Sequence, residues 1–260
     1  MLPDPLKDDP LGLWDRLARA SRPLLGLDYD GTLAPFQVDR MAAVPAPGAA
    51  EVVQAIISHG RTRVAVISGR LVDEVIELLG DLGVVVVGSH GFERRLPDGS
   101  RRRVSLPPEQ EQALVLAARQ VERIGYGARL ERKAASLAFH TRGLDGDAAR
   151  GLEDEVVRLW SGAGLLVQPF NGGVELHAGA AIDKGTVLAG LLDEHRPDLT
   201  VYVGDDRTDE DAFRALAGRG GLGIKVGPGP TAAVARLPDC EGVVRLLRRW
   251  LTVMESGEAR

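Results

Sequence analysis

The sequence predicts an α/β protein: a doubly wound parallel sheet with a smaller α+β domain inserted into it. Three observations carry this. Short apolar runs alternate with helical spacing over residues 1–100 and again after Asp183. Between these regions, strands and helices follow a different order. Polar residues stand where the apolar runs end, which is where open α/β sheets place their sites.

Leu11–Ala20 has helical spacing, and Leu24–Asp28 is a short buried strand. The loop "VPAPGAA" leads into an amphipathic helix over Ala49–Ser58. Arg63–Ser68 is almost continuously apolar, as in a strand covered on both faces. Leu71–Gly80 is helical and stops at its glycine, and "GVVVVGSHG" is a third strand. This alternation predicts a parallel sheet. "ERRLPDGSRRRVSL" then reads as a polar hairpin with an Asp-Gly turn, its arginines in solvent. The insertion follows, with helices at Glu109–Arg123 and Gly146–Ser161. Its strands lie near Ala128–Glu131, Ser136–Thr141, Leu165–Pro169 and Val174–Leu176. The first pattern returns with a helix at Lys184–Glu194, strand "LTVYVG", helix "DEDAFRALAG", strand "LGIKVG" and a helix at Val243–Val253. The expected division is 1–100 with 177–260 for the larger domain and 101–176 for the inserted one.

Composition narrows the function. The 260 residues carry a net charge of −5, with an isoelectric point near 5.6. Nucleic acid or an anionic membrane would call for a basic surface. One cysteine, Cys240, excludes an internal disulfide and a thiolate metal site. No apolar run approaches the roughly 20 residues of a membrane span, and the N-terminus lacks a signal pattern. A cytoplasmic enzyme or binding protein acting on a small molecule is expected.

Four polar signatures end apolar runs: "DYDGT", "SGR", "DKG" and "GDDRTDED". Two aspartates at the end of a buried strand cost stability unless something positive is bound. Asp28 and the downstream acids offer hard oxygen ligands suited to Mg²⁺. Ser68 offers a hydroxyl and Lys184 a point charge to phosphate oxygens. One carboxylate is then free to attack phosphorus. A second, two residues on, can protonate a leaving alcohol and later activate water. Five acids in Asp205–Asp211 exceed what helix capping requires.

These motifs resemble those of the haloacid dehalogenase-like phosphatases. "GSHGFE", "ERKAASLAFHTR" and "GDDRTDEDAF" are similar to the trehalose-6-phosphate phosphatase family within them. The resemblance implies a Rossmann-like core with an inserted cap. It implies Asp28 as nucleophile, Asp30 as general acid/base, and Ser68 and Lys184 as phosphate-gripping residues. It also implies a Mg²⁺ site from Asp28, Asp205 and the Asp30 backbone carbonyl, with Asp206 and Asp209 orienting the metal shell. Arg70, His90, Glu93, Glu131, Lys133, His140, Arg142 and Glu175 are the candidate substrate contacts. A trehalose-6-phosphate synthase is the functional partner implied.

The chain departs from the family after Glu175. There "NGGVELHAGAAIDKG" places Leu176, His177 and Ala178 where a basic residue and a proline are expected, with His177 standing for the basic residue. The alternatives are a phosphatase for sucrose phosphate or a glycosylglycerate phosphate, or a non-catalytic sugar-phosphate-binding module. Loss of Asp28 or Asp30 would mark the last, and both are present.

Overall fold

The computed structural model describes residues 2–7, 9, 11–170, 172–178 and 182–258. The chain divides into two units, 1–102 with 183–260, and 103–182.

The larger unit contains α1 (Leu13–Arg19), β1 (Pro23–Leu27), α2 (Ala49–His59), β2 (Arg63–Ile67), α3 (Val72–Leu79), β3 (Val85–Gly88), β4 (Glu93–Arg95) and β5 (Arg101–Arg103). The smaller unit contains α4 (Pro108–Arg123), β6 (Leu130–Arg132), β7 (Ser136–His140), α5 (Gly146–Trp160), β8 (Leu166–Phe170) and β9 (Gly173–His177). The chain returns to the larger unit with α6 (Lys184–His195), β10 (Leu199–Gly204), α7 (Asp209–Ala217), β11 (Leu222–Val226), β12 (Ala235–Leu237) and α8 (Cys240–Glu258).

Eight strands form the larger sheet in the order β12-β11-β10-β1-β2-β3-β4-β5. The run from β12 to β3 is parallel, and β4 turns back antiparallel on β3. Every residue of β1, β3, β10 and β11 is buried, because helices cover both faces. Leu25, Leu27, Val64, Val66, Val201 and Val203 pack with apolar residues of α1, α2, α3 and α8. The alternate residues Leu24, Ala65, Ile67 and Tyr202 pack with Leu188 and Leu191 of α6 and Phe213 and Leu216 of α7. Period-2 alternation therefore feeds two cores.

In the smaller unit, four antiparallel strands run in the order β6-β7-β9-β8. One sheet face, with Leu137, Phe139, Val174 and Leu176, packs on Leu114 and Val121 of α4 and Val156 and Trp160 of α5.

Three details differ from the sequence reading. The division falls at 102/103, inside β5, whose strand pairs in the larger sheet, and at 182/183, after β9, which runs to His177 in the smaller one. Strand β12 was not expected; its three residues are too few for a periodic signal. Helix α8 extends beyond both ends of its apolar stripe, which is centred on Val243, Leu247, Trp250 and Met254. No helix among the described residues is long and apolar enough to cross a membrane.

Candidate active site

The sheet order places β10, β1, β2 and β3 side by side. Their carboxyl ends deliver Asp205, Asp28, Ser68 and Ser89 to one edge. Strands β1 to β3 step one way along the sheet and β10 to β12 the other, so the β1–β10 junction is a topological switch point, where such folds bind ligands.

Asp28 stands directly after β1, buried, with its N–H donated to the Val203 carbonyl at 3.0 Å. Lys184 opens α6 behind the Asp183 capping box. Its ammonium donates to Asp28 Oδ1 and to Asp209 Oδ1, each at 2.7 Å. Asp209 is fully committed. Its Oδ1 also accepts the Tyr202 hydroxyl at 2.6 Å, and its Oδ2 accepts the N–H groups of Asp205 and Asp206 at 3.0 and 2.9 Å. This explains its complete burial: each lone-pair direction has a donor.

Asp28, Asp205 and Asp209 offer carboxylate oxygens within 4.8 Å of one another. Lys184 hydrogen-bonds two of the three carboxylates and Lys225 only weakly offsets Asp205, so the cluster is short of positive charge. Burial, and then the Asp209 charge, push Asp28 well above the usual carboxylate range, against the pull of Lys184. The same two causes raise Asp205 to about 7. Burial would lower Lys184, but Asp209 and Asp28 outweigh it and hold the ammonium above its ordinary range. Asp28 Oδ2 and the Asp205 carboxylate accept no hydrogen bond from the described residues. This donor set fits a hard divalent cation, with Asp28 and Asp205 as ligands and Asp209 as the residue that orients them. Gly31 makes room for Asp205. It lies at φ +72°, and a Cβ there would stand 2.0 Å from Asp205 Oδ2.

The sequence reading gives the metal only the backbone carbonyl of Asp30 and places Asp206 in the surrounding shell; both carboxylates have partners of their own. The Asp30 carboxylate accepts Arg70 Nε and Nη2 at 2.7 and 2.6 Å, a bidentate pair. Asp206 Oδ1 accepts the Arg207 N–H at 2.6 Å. Ser68 is buried, and its Oγ accepts the Arg70 N–H at 3.1 Å.

The β2 and β3 loops are tied together. The Ser89 N–H donates to the Arg70 carbonyl at 2.7 Å, and the His90 N–H to the Ser68 carbonyl at 3.1 Å. Ser89 and His90 both adopt left-handed backbone, at φ 49° and 56°, a conformation costing about 1–2 kcal/mol per non-glycine residue. Those two hydrogen bonds help hold it. The His90 ring packs on Gly69, where a Cβ would meet it at 2.6 Å. Glu93 is buried, and its carboxylate accepts the Val72 N–H at 3.4 Å, at the start of α3.

In the smaller unit, register puts Glu131, Ala138, Glu175 and Gln168 in one row across the sheet. They share the face opposite the helices with Ser136, His140 and His177. His140 Nε2 lies 2.7 Å from Glu131 Oε2. Lys133 Nζ donates to both Glu175 oxygens at 3.1 and 3.2 Å, and Ser136 Oγ to Glu175 Oε1 at 2.5 Å. Arg142 lies past the end of β7, packed against Gly172.

The trehalose-phosphatase family model matches residues 26–237. The chain belongs to the trehalose-phosphatase family. It is 35% identical over 251 residues to a bifunctional trehalose-6-phosphate synthase/phosphatase of Thermoproteus tenax, covering 95% of this chain and 33% of that one. It is 35% identical over 238 residues to the trehalose-phosphate phosphatase of Mycobacterium ulcerans, covering 86% of this chain and 58% of that one. The chain thus spans a third to just over half the length of these relatives. Its fold matches the C-terminal domain of C. albicans trehalose-6-phosphate phosphatase with a TM-score of 0.83, at 22% identity, covering 97% of this chain and 98% of that one.

Sequence reasoning missed Tyr202, Ser136 and Gln168, which complete these clusters. Tyr202 reads as one more buried residue of "LTVYVG". Ser136 and Gln168 could have been found by carrying the period-2 face of Glu175 across the neighbouring strands.

Proposed function

We propose that this chain hydrolyses trehalose 6-phosphate to trehalose and phosphate through an aspartyl-phosphate at Asp28. The observation that carries the reading is the buried Asp28–Lys184–Asp209 array at the switch point, open to a cation at Asp28 and Asp205. An Asp28 oxygen attacks phosphorus and the bond to the sugar oxygen breaks. Asp30 gives that oxygen its proton. Asp30 then takes a proton from water, which attacks phosphorus and breaks the bond to Asp28. Lys184 and the Ser68 hydroxyl hold phosphate oxygens. Asp28 and Asp205, with the Asp30 carbonyl, would hold Mg²⁺, which when bound would supply positive charge to the phosphoryl group. The smaller unit's polar sheet face, with Glu131, His140, Gln168 and His177, offers the mix of donors and acceptors that sugar hydroxyls require. The T. tenax relative's name couples a synthase to the phosphatase, and a synthase supplying the substrate is the functional partner we propose.

Phosphate release from trehalose 6-phosphate, sucrose phosphate and a glycosylglycerate phosphate, with Mg²⁺ and after chelation, tests this. The expected result is a kcat/KM at least about tenfold higher for trehalose 6-phosphate, lost on chelation. Preference for another sugar would overturn the substrate, and turnover in chelator would overturn the metal.

A further inference from the structure

We infer that Arg70 is a positioning residue that fixes the carboxylate plane of Asp30, and that it does not bind substrate phosphate. The inference rests on the acid/base reading of Asp30 given above. Three features of the geometry carry it. First, the guanidinium is committed. Nε and Nη2 each meet a different Asp30 oxygen, at 2.7 and 2.6 Å, and a two-point fork fixes orientation as well as distance. The third nitrogen, Nη1, is buried as well, and with its side chain 3% exposed the guanidinium faces the protein and not solvent.

Second, Arg70 is the fixed member of the pair. Its side chain is 3% exposed and Asp30's is 31%. Its N–H is held by Ser68 Oγ and its carbonyl by the Ser89 N–H. Its guanidinium lies over the Tyr29 ring, 5.3 Å from the centroid. Third, the Asp30 backbone is closed independently. The N–H groups of Thr32, Leu33 and Ala34 converge on the Tyr29 carbonyl, and the Gly31 N–H donates to the Ala34 carbonyl. With its backbone fixed by that turn, Asp30 has only its side-chain rotation left to set, and the fork sets it. Asp30 is 31% exposed, so the carboxylate held by the fork stays within reach of a leaving oxygen or a water. General acid–base catalysis requires that proton path at hydrogen-bond distance, and a misplacement of about 1 Å can cost roughly 10²-fold.

The test is a double-mutant cycle on two substrates. Wild type, Asp30→Asn, Arg70→Gln and the double variant are assayed on trehalose 6-phosphate and on 4-nitrophenyl phosphate, whose leaving group needs no proton. Arg70→Gln is expected to lose roughly 10- to 100-fold in kcat/KM on the sugar phosphate and less than about threefold on the aryl phosphate. The double variant should lose no more than Asp30→Asn alone, because both changes remove one function. Equal loss on both substrates, or additive losses, would overturn the inference and return Arg70 to the phosphate. If Asp30→Asn itself lost equally on both substrates, the acid/base reading would fail, and the inference with it. Should Arg70→Gln not fold, Arg70→Lys keeps the charge, removes the fork and is read by the same criteria.

Discussion

The Lys184 ammonium lies 2.7 Å from a carboxylate oxygen of Asp28 and 2.7 Å from one of Asp209, and all three side chains are buried. One cation thus joins the proposed nucleophile to the residue that anchors the acidic cluster. The arrangement is stable only as a set: removing the cation leaves two buried carboxylates facing each other.

Lys184→Ala is therefore expected to destabilise the protein by about 3–5 kcal/mol, the cost of breaking a buried pair from one side. Asp28→Asn removes one of the facing charges and keeps the shape, so it should leave the urea midpoint near wild type while abolishing turnover. Urea titration and phosphate release on the two variants separate the roles. Equal stability for Lys184→Ala and wild type would show that the array does not depend on its cation.

The Asp205 carboxylate is raised by burial and by the Asp209 charge, from 3.8 to about 7. The folded protein therefore holds this proton more tightly than the unfolded chain does. The stability it contributes is present below about pH 4 and is lost as pH rises towards 7. In chelator, Asp205→Asn should match wild type near pH 4 and melt at a higher temperature at pH 7.5. Saturating Mg²⁺ should remove that difference, since the cation satisfies the carboxylate. A gap between variant and wild type that did not change with pH would show that Asp205 is not held under this repulsion.

How far the sequence could be read depended on how local the signal was. Asp28, Ser68, Lys184 and Asp205 were legible because each follows a strand or opens a helix, and the switch-point rule turns such positions into a site. The pairing of Arg70 with Asp30, 40 residues apart, was not legible. An arginine beside a candidate phosphate loop reads equally well as a phosphate contact, and only the fold shows the fork engaged. The contact of Glu93 with the Val72 N–H, at a helix start that precedes it by 21 residues, was equally invisible in the sequence. Lys133 and Glu175, 42 residues apart, are joined by an ion pair that the sequence does not show.

Tyr202 illustrates the same limit and gives a direct test. Its hydroxyl is one of four donors on Asp209, while its ring packs against Phe213 with centroids 5.9 Å apart. Tyr202→Phe keeps the ring and removes one donor from a buried charge. The expected loss is about 1–3 kcal/mol in chemical denaturation, with turnover reduced but not abolished. A loss below about 0.3 kcal/mol would mean that Lys184 and the two backbone N–H groups hold Asp209 unaided.

The smaller unit's polar face contains two kinds of acid, and they should respond differently. Glu175 is enclosed by Lys133 and Ser136, so Glu175→Ala strands a buried ammonium and should lower the melting temperature. Glu131 faces His140, and Gln168 completes the same row. Glu131→Ala and Gln168→Ala remove groups suited to sugar hydroxyls without leaving a buried lysine unpaired. Each should cost kcat/KM on trehalose 6-phosphate about 1.5–3 kcal/mol for the charged residue and about 0.5–1.5 kcal/mol for the neutral one. That is roughly 10- to 150-fold and 2- to 12-fold. Neither should alter hydrolysis of a small aryl phosphate, which has no sugar for this face to read. Equal losses on both substrates would make these residues structural. Unchanged rates on both would mean that this face reads a different sugar, and would direct the search to His177, where the sequence leaves its family's pattern.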